Sequence, residues 1–453
     1  MNKAMLAFSI LLAGSYSSAG IKFNDSLCFG GDILGEYFHS ENLWDLSNGG
    51  GDVNNLLRAE AHLYLQVELD YNILLRASGE IDRELERVVI DPTSASHGLR
   101  GVEADGVEAY LEEAFFQIKN IAGGGFSFIA GRQFLNYGDN LAANDYNQWW
   151  GPGFIIADSL SNDPLLITQL GSYEIDPFDA VVIRHESEFT QIDAFYARSV
   201  ENVWQPKGIG VNTELAGFYA SYFGIENHQL DLYFTFNGEN APQAVTGMGG
   251  EKYIVGGRAA GDAADSLAYK IELAYQLNHA DNAQLAWKQD ADALGAQAGL
   301  NYHPVCKLSP NAGFIYTFLQ QDGAEGTMNG FASPFEGKTY GIIAEGLMKT
   351  FDGINPFTNM HVFNLNGGVK PAEDLALSVD LYYFLLDEAI QRSGKKRDDG
   401  GLELDAQADY LITDNVRSFV GGGVYFPGKA AEEIYAGNDD DAYFLRAGIK
   451  VRF

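Results

Sequence analysis

From Leu57 to Leu69 the chain alternates without a break: Leu57, Ala59, Ala61, Leu63, Leu65, Val67 and Leu69 interleave with Arg58, Glu60, His62, Tyr64, Gln66 and Glu68. In a β-strand successive side chains face opposite sides, so this stretch has one wholly apolar face and one polar, charged face. The pattern recurs in AYKIELAYQL, QLDLYFTFN, DLALSVDLYYFL and GLELDAQADYL. A soluble sandwich also alternates, but its strands are typically about five or six residues long. These runs reach roughly nine to thirteen, the length of a tilted strand that crosses a bilayer.

The breaks between runs alternate in length as well. They are tight near Asp70, Asn120 to Gly125, Ile225 to His228, Asp262 to Asp265, Pro371 to Asp374 and Thr413 to Asn415. They are long from Ile81 to Val107, Phe134 to Pro177 and Gln320 to Phe357. Short turns on one side and long loops on the other are the layout of an outer-membrane barrel. About eighteen runs lie between SLCFGGDILGEYF and DAYFLRAGIKVRF, an even number, as in bacterial single-chain barrels. The expected fold is all-β: a transmembrane antiparallel β-barrel of about 18 strands, with short periplasmic turns and long extracellular loops. The last run ends on Phe453 and resembles the C-terminal signal that the barrel-assembly machinery reads in outer-membrane proteins.

Residues 1–19 read as a Sec signal peptide, with Lys3, an apolar run from Met5 to Ala13, and small residues at Ser17-Ser18-Ala19. Residues 20–453 are then one barrel domain without a Pro-rich linker, placed in the outer membrane of a Gram-negative bacterium. No other segment reaches the roughly 18 apolar residues of a membrane helix. The formal charge of −33 speaks against a nucleic-acid partner. Aromatics at 13%, with 52 glycines and 24 tyrosines against 12 prolines, argue for ordered β-structure rather than disorder. The two cysteines, Cys28 and Cys306, have no spacing that argues for a disulfide. Eight histidines give little basis for a metal or catalytic centre; His62 has no evident serine partner and His185 lies near a strand end. No catalytic residue and no cofactor is expected.

If the apolar face meets lipid, the charged face lines the lumen, because a cation on the lipid side near the midplane costs about 2–4 kcal/mol. That assigns Arg58, Glu60, Arg76, Glu113, Lys270, Glu272, Glu403, Asp405, Arg446, Lys450 and Arg452 to the interior. An eighteen-stranded interior is wide enough for an aqueous channel. Early and late strands become neighbours on closure, so their cations cluster in a way that favours anions. Much of the acid lies elsewhere, in IDRELE (Ile81 to Glu86) and in NDDDA, where Asp439, Asp440 and Asp441 could bind surface Ca2+ through carboxylate oxygens. Solvated loops beside anionic lipopolysaccharide are the favoured reading of both segments.

The stretch GRQFLNYGDN, followed by NQWW, resembles a motif of the alginate-export family of outer-membrane barrels. LEEAFFQI resembles that family's acidic-then-Ala-aromatic strand, and GLELDAQADYLITDNVRSFVGGGVYFPG resembles its Glu-x-Asp strand followed by a Gly-rich strand. The resemblance implies an eighteen-stranded barrel whose arginine-rich constriction passes an anionic polysaccharide. It implies that Arg132 is a constriction arginine with Glu113 on the neighbouring strand as its partner, arginine being permanently charged and forked for carboxylates. A pair that only braces the wall is the alternative for these two residues. Alternation alone puts Phe128, Ala130 and Arg132 on one face without saying which; the cost of a lipid-facing cation places Arg132 in the lumen. The long segment after it is expected to fold inward as a gate.

The function expected is passive passage of an anionic sugar polymer or small acidic solutes, with a general or differently selective diffusion porin as the alternative. Outer-membrane lipid, lipopolysaccharide and periplasmic export proteins are the expected partners. A lumenal Arg132 further implies that Arg132→Glu lowers anion selectivity.

Overall fold

The computed structural model describes residues 21–24, 26–42, 54–69, 72–87, 107–135, 177–199, 212–240, 249–282, 287–321, 358–391, 395–435 and 437–453. It also describes Leu46 and Tyr137 and, between the fourteenth and fifteenth strands, positions 330–331, 340–344 and 347. The expected signal segment lies outside these residues. A short β1 (Ile21–Asn24) forms a hairpin with β2 (Leu27–Glu41). The first half of the barrel continues through β3 (Asn54–Leu69), β4 (Ile73–Arg87), β5 (Val107–Ile121), β6 (Phe126–Gln133), β7 (Phe178–Glu186), β8 (Thr190–Ser199), β9 (Asn212–Ile225) and β10 (His228–Asn240). The second half comprises β11 (Gly249–Ala264), β12 (Leu267–Asn282), β13 (Trp287–Tyr302), β14 (Asn311–Leu319), β15 (Met360–Ala372), β16 (Leu375–Gln391), β17 (Lys396–Thr413), β18 (Val416–Pro427) and β19 (Ala442–Arg452). One six-residue helix, α1 (Lys429–Ile434), precedes β19 and packs mainly on β17.

Strands β2 to β19 form a closed antiparallel barrel of 18 strands. Each pairs with its sequence neighbours, and β19 returns to β2 from Tyr443↔Glu41 to Arg452↔Asp32. Closure removes the sheet edges that an open sheet of this length would expose. No described helix is long and apolar enough to cross a membrane.

The alternation decides which face is which. Along β12, Ile271, Leu273 and Tyr275 are exposed whereas Lys270, Glu272, Ala274 and Gln276 are buried. The same inversion holds in β17, with Leu404 exposed and Glu403 and Asp405 buried. Apolar groups thus form the outer wall and charged groups the inner one, the arrangement a barrel in lipid requires. Tight turns join strands on the periplasmic side; Glu226 and Asn227 link β9 to β10, and Asn227 takes the left-handed conformation (φ 58°) that asparagine tolerates. One boundary differs from expectation. IDRELE is not a connection: it continues β4 to Arg87, because alternating pairing with β3 and β5 extends through it.

Candidate functional site: the lumenal wall

Inward arginines are held by acceptors on the same or the adjacent strand. Arg184 donates from Nε and Nη2 to the two oxygens of Asp193, at 2.8 and 2.6 Å. Arg258 donates to Asp231 at 2.7 Å, and Arg417 to Asp409 at 2.6 and 2.9 Å. Arg446 donates to Gln407 and lies over the Phe419 ring, 5.3 Å from its centroid. Lys450 meets Asp32 at 3.0 Å across the closure between β19 and β2. Arg452 takes the same face of β19 at its exposed periplasmic end. These inward-facing pairs orient the guanidinium planes that line the lumen.

The wall of β2 to β5 is the most acidic stretch. Arg58 pairs with Glu60 and lies 3.7 Å from Glu80; Glu36, opposite Arg58 in register, is buried. His62 contacts Glu60 through Nε2 and Glu112 through Nδ1, the latter at 3.0 Å. Arg76 donates to Glu113 at 2.6 Å, and the Ser78 hydroxyl donates to the same carboxylate at 3.1 Å. Two successive glutamates reach one face because the ladder shifts there: Ser78 pairs with Glu113 but Gly79 with Leu111, leaving Glu112 as the extra residue of a β-bulge. Glu112 was not among the residues expected from sequence. The adjacency of two glutamates in an alternating run was the signal for it, since strict alternation sends one of them into lipid.

Two segments fill part of the interior. Beyond β6, Leu135 and Tyr137 are buried; Tyr137 stacks on Phe195 (5.1 Å) and Tyr219 (4.9 Å), and Tyr219 stacks on Tyr233 (5.8 Å). Burial pushes the Tyr137 phenol well above its ordinary pKa, so it stays protonated. The rest of that connection, including NQWW, lies outside the described residues. The second filling segment comes from the connection between β14 and β15, which sequence did not single out as entering the barrel. Phe331, Ile343, Ala344 and Leu347 are buried against Phe384, Tyr425 and Tyr435.

Glu403 fixes this segment. It accepts the backbone N–H groups of Ile342 (2.7 Å) and Ile343 (2.8 Å) on Oε1 and of Ala344 (2.7 Å) on Oε2. Gly341 makes the approach possible: its φ is +80°, and a Cβ there would meet the Glu403 carboxylate. Tyr435 adds a hydrogen bond to the Leu347 carbonyl, at 2.5 Å. Glu403, expected to line a pore, is wholly buried here and serves as a bracket for an inserted turn. Asp405, two residues on, is buried in register with Asp380 and Gly423.

The family model described as alginate export matches residues 29–442. The chain belongs to the alginate export family. Among solved structures it is similar to OccK9 (OpdG) of Pseudomonas aeruginosa, with a TM-score of 0.56, 11% identity, and 96% of this chain and 100% of that one covered. It is similar to the outer membrane protein OprD of P. aeruginosa (TM-score 0.52, 9% identity, 94% and 93% covered). OpdK of P. aeruginosa, solved with vanillate, gives a TM-score of 0.52 at 12% identity, with 95% and 98% covered. At such identities the likeness concerns the fold. No curated protein matches the sequence. Fold and family together place this alginate-export barrel in the Gram-negative outer membrane.

The Gly-Arg-Gln that carries the family resemblance is arranged otherwise than expected. In β6, Ser127, Ile129 and Gln133 are buried toward the interior, and Gln133 donates to the Gly131 and Ala180 carbonyls. Arg132 stands in register with Ala114 and Asp179, on the face shared by Phe116, Val181 and Ile183, which are exposed. It is therefore outside the barrel, and its partner is Asp179, not Glu113. The expectation rested on a midplane cost, but Arg132 is the penultimate residue of β6 at the extracellular end. There a cation costs only about 0–1 kcal/mol.

Proposed function

We propose that this barrel is a passive outer-membrane channel for an anionic sugar polymer or smaller acidic solutes. The observation that carries the reading is the wall of oriented arginines: Arg58, Arg76, Arg184 and Arg417 come from four strands, each partly exposed and hydrogen-bonded or ion-paired in place, while Arg258 and Arg446 are buried and add charge from within the wall. The partly exposed guanidinium groups of Arg76, Arg184 and Arg417 keep N–H donors beyond those their carboxylates occupy, available to a passing carboxylate. Lys450 and Arg452 extend the cationic side toward the periplasm, with Glu60, Glu113 and Asp405 as spacers. Membership of the alginate export family supports the polymer, and the vanillate in OpdK, an acid, supports smaller solutes. The reading assigns no catalytic residue; lipopolysaccharide surrounds the barrel and a periplasmic partner would deliver the polymer.

A second reading, a differently selective diffusion porin, is favoured by the carboxylates that crowd β2 to β5. Planar-bilayer recordings separate the two. The first expects anion-selective reversal potentials and block by uronate oligomers; cation selectivity with no oligomer effect would establish the second.

A further inference from the structure

We propose that Glu60, His62 and Glu80 form a lumenal binding site for one divalent transition ion of the zinc class, with Glu112 orienting the histidine. The three residues each offer a ligand atom, and these atoms lie within 4.8 Å of one another. A zinc ion with bonds of about 2.0–2.2 Å holds its ligand atoms roughly 3.3 Å apart. The widest gap would narrow, while Nε2 and Glu60, already in contact, would part to admit the ion, shifts within the reach of two flexible glutamates. The histidine is already set for the task. Its Nδ1 hydrogen-bonds Glu112 at 3.0 Å while Nε2 points at Glu60. Metal-binding histidines characteristically donate the distal ring N–H to a carboxylate, which fixes ring and tautomer. Here the β-bulge supplies that carboxylate: without the extra residue, Glu112 and Glu113 could not both face inward.

Local charge points the same way. Four carboxylates, Glu36, Glu60, Glu80 and Glu112, face Arg58, His62 and, beside Glu36, Arg446, while Lys450 is engaged by Asp32. Both oxygens of Glu36, which is 3% exposed and opposite Arg58, have no hydrogen-bond partner among the described residues. Glu36 can therefore take up Arg58 when a metal engages Glu60. A nitrogen ligand with two carboxylates suits a transition ion over Ca2+ or Mg2+, which prefer all-oxygen shells. The remaining coordination positions would face the lumen, where a solute oxygen could reach them.

The test is calorimetric titration of the folded, EDTA-stripped barrel in detergent with zinc chloride, with folding verified by heat-modifiable migration. The expected result is one ion per barrel, lost in His62→Gln and Glu80→Gln and weakened about 10- to 100-fold in Glu112→Gln. The combined change Asp439→Asn, Asp440→Asn and Asp441→Asn should retain it. Absence of a one-to-one site in the unaltered protein, undiminished binding by His62→Gln, or loss of the ion in the triple variant would each overturn the proposal. Should His62→Gln fail to fold, zinc protection of His62 from diethyl pyrocarbonate in the unaltered protein decides: protection supports the site and none refutes it.

Discussion

Arg132 and Asp179 hold each other on the outside of the barrel, with Nε 3.0 Å from Oδ1 and the Leu111 carbonyl accepting from Nη1 at 3.3 Å. The pair begins a row. Asp179 is in register with Arg198, and Arg198 with Glu214, to which it donates at 2.8 Å. Four alternating charges thus lie side by side at the extracellular ends of β6 to β9, above Ala130, Val181, Tyr196 and Ala216. Toward the end of a membrane strand such ion pairs replace apolar contacts at little cost.

Arg132→Glu should therefore leave ion selectivity unchanged, since the side chain does not face the permeating ions. Its ion pair is partly exposed, so Arg132→Ala and Asp179→Ala should couple by at most about 1 kcal/mol in a double-mutant cycle on heat-modifiable unfolding. A shift of reversal potential on charge reversal would return Arg132 to the lumen.

Glu403→Ala removes the acceptor of three N–H groups and should release the turn at Ile342 to Ala344. Single-channel conductance should rise and become noisier, with Glu403→Gln intermediate because one amide oxygen can still accept. Unchanged conductance in Glu403→Ala would mean that this turn does not narrow the path.

Gly341→Ala should act in the same direction by a different route. It strains a backbone at φ +80° and drives a methyl toward the carboxylate, a cost of order 1–3 kcal/mol. Combined with Glu403→Ala, it should add little to the conductance change, because both act on one contact.

Asp193→Asn removes a wholly buried carboxylate from Arg184. Breaking such a pair costs up to about 3–5 kcal/mol, so the heat-modifiable transition should fall. The lumen gains one net positive charge, and reversal potentials should move toward anions. A move toward cations would contradict the lumenal placement of Arg184.

The barrel was legible because its signal is periodic: Leu57 to Leu69 states its two faces residue by residue, and the inversion of burial along β12 follows from the same rule. What escaped was whatever breaks or outlasts the period. Glu112 needs an extra residue in β5, which alternation cannot show. IDRELE reads as a loop because its charges hide a strand that continues to Arg87. Arg132 failed on depth, since a sequence gives the side of a strand more readily than the height at which a residue stands. The inserted turn at Ile342 escaped because Glu403 recognises main-chain groups, which every sequence possesses.

That last property reaches beyond this molecule. The bracket itself grips only peptide N–H groups, so beyond a glycine at the approach the demand on side chains comes from the packing of Ile343, Ala344 and Leu347, and not from Glu403. Grip and fit are thus separate: an engineer could change the half-buried Ile342, or exchange the packed residues for others of like volume, while the anchoring point on the wall stays where it is.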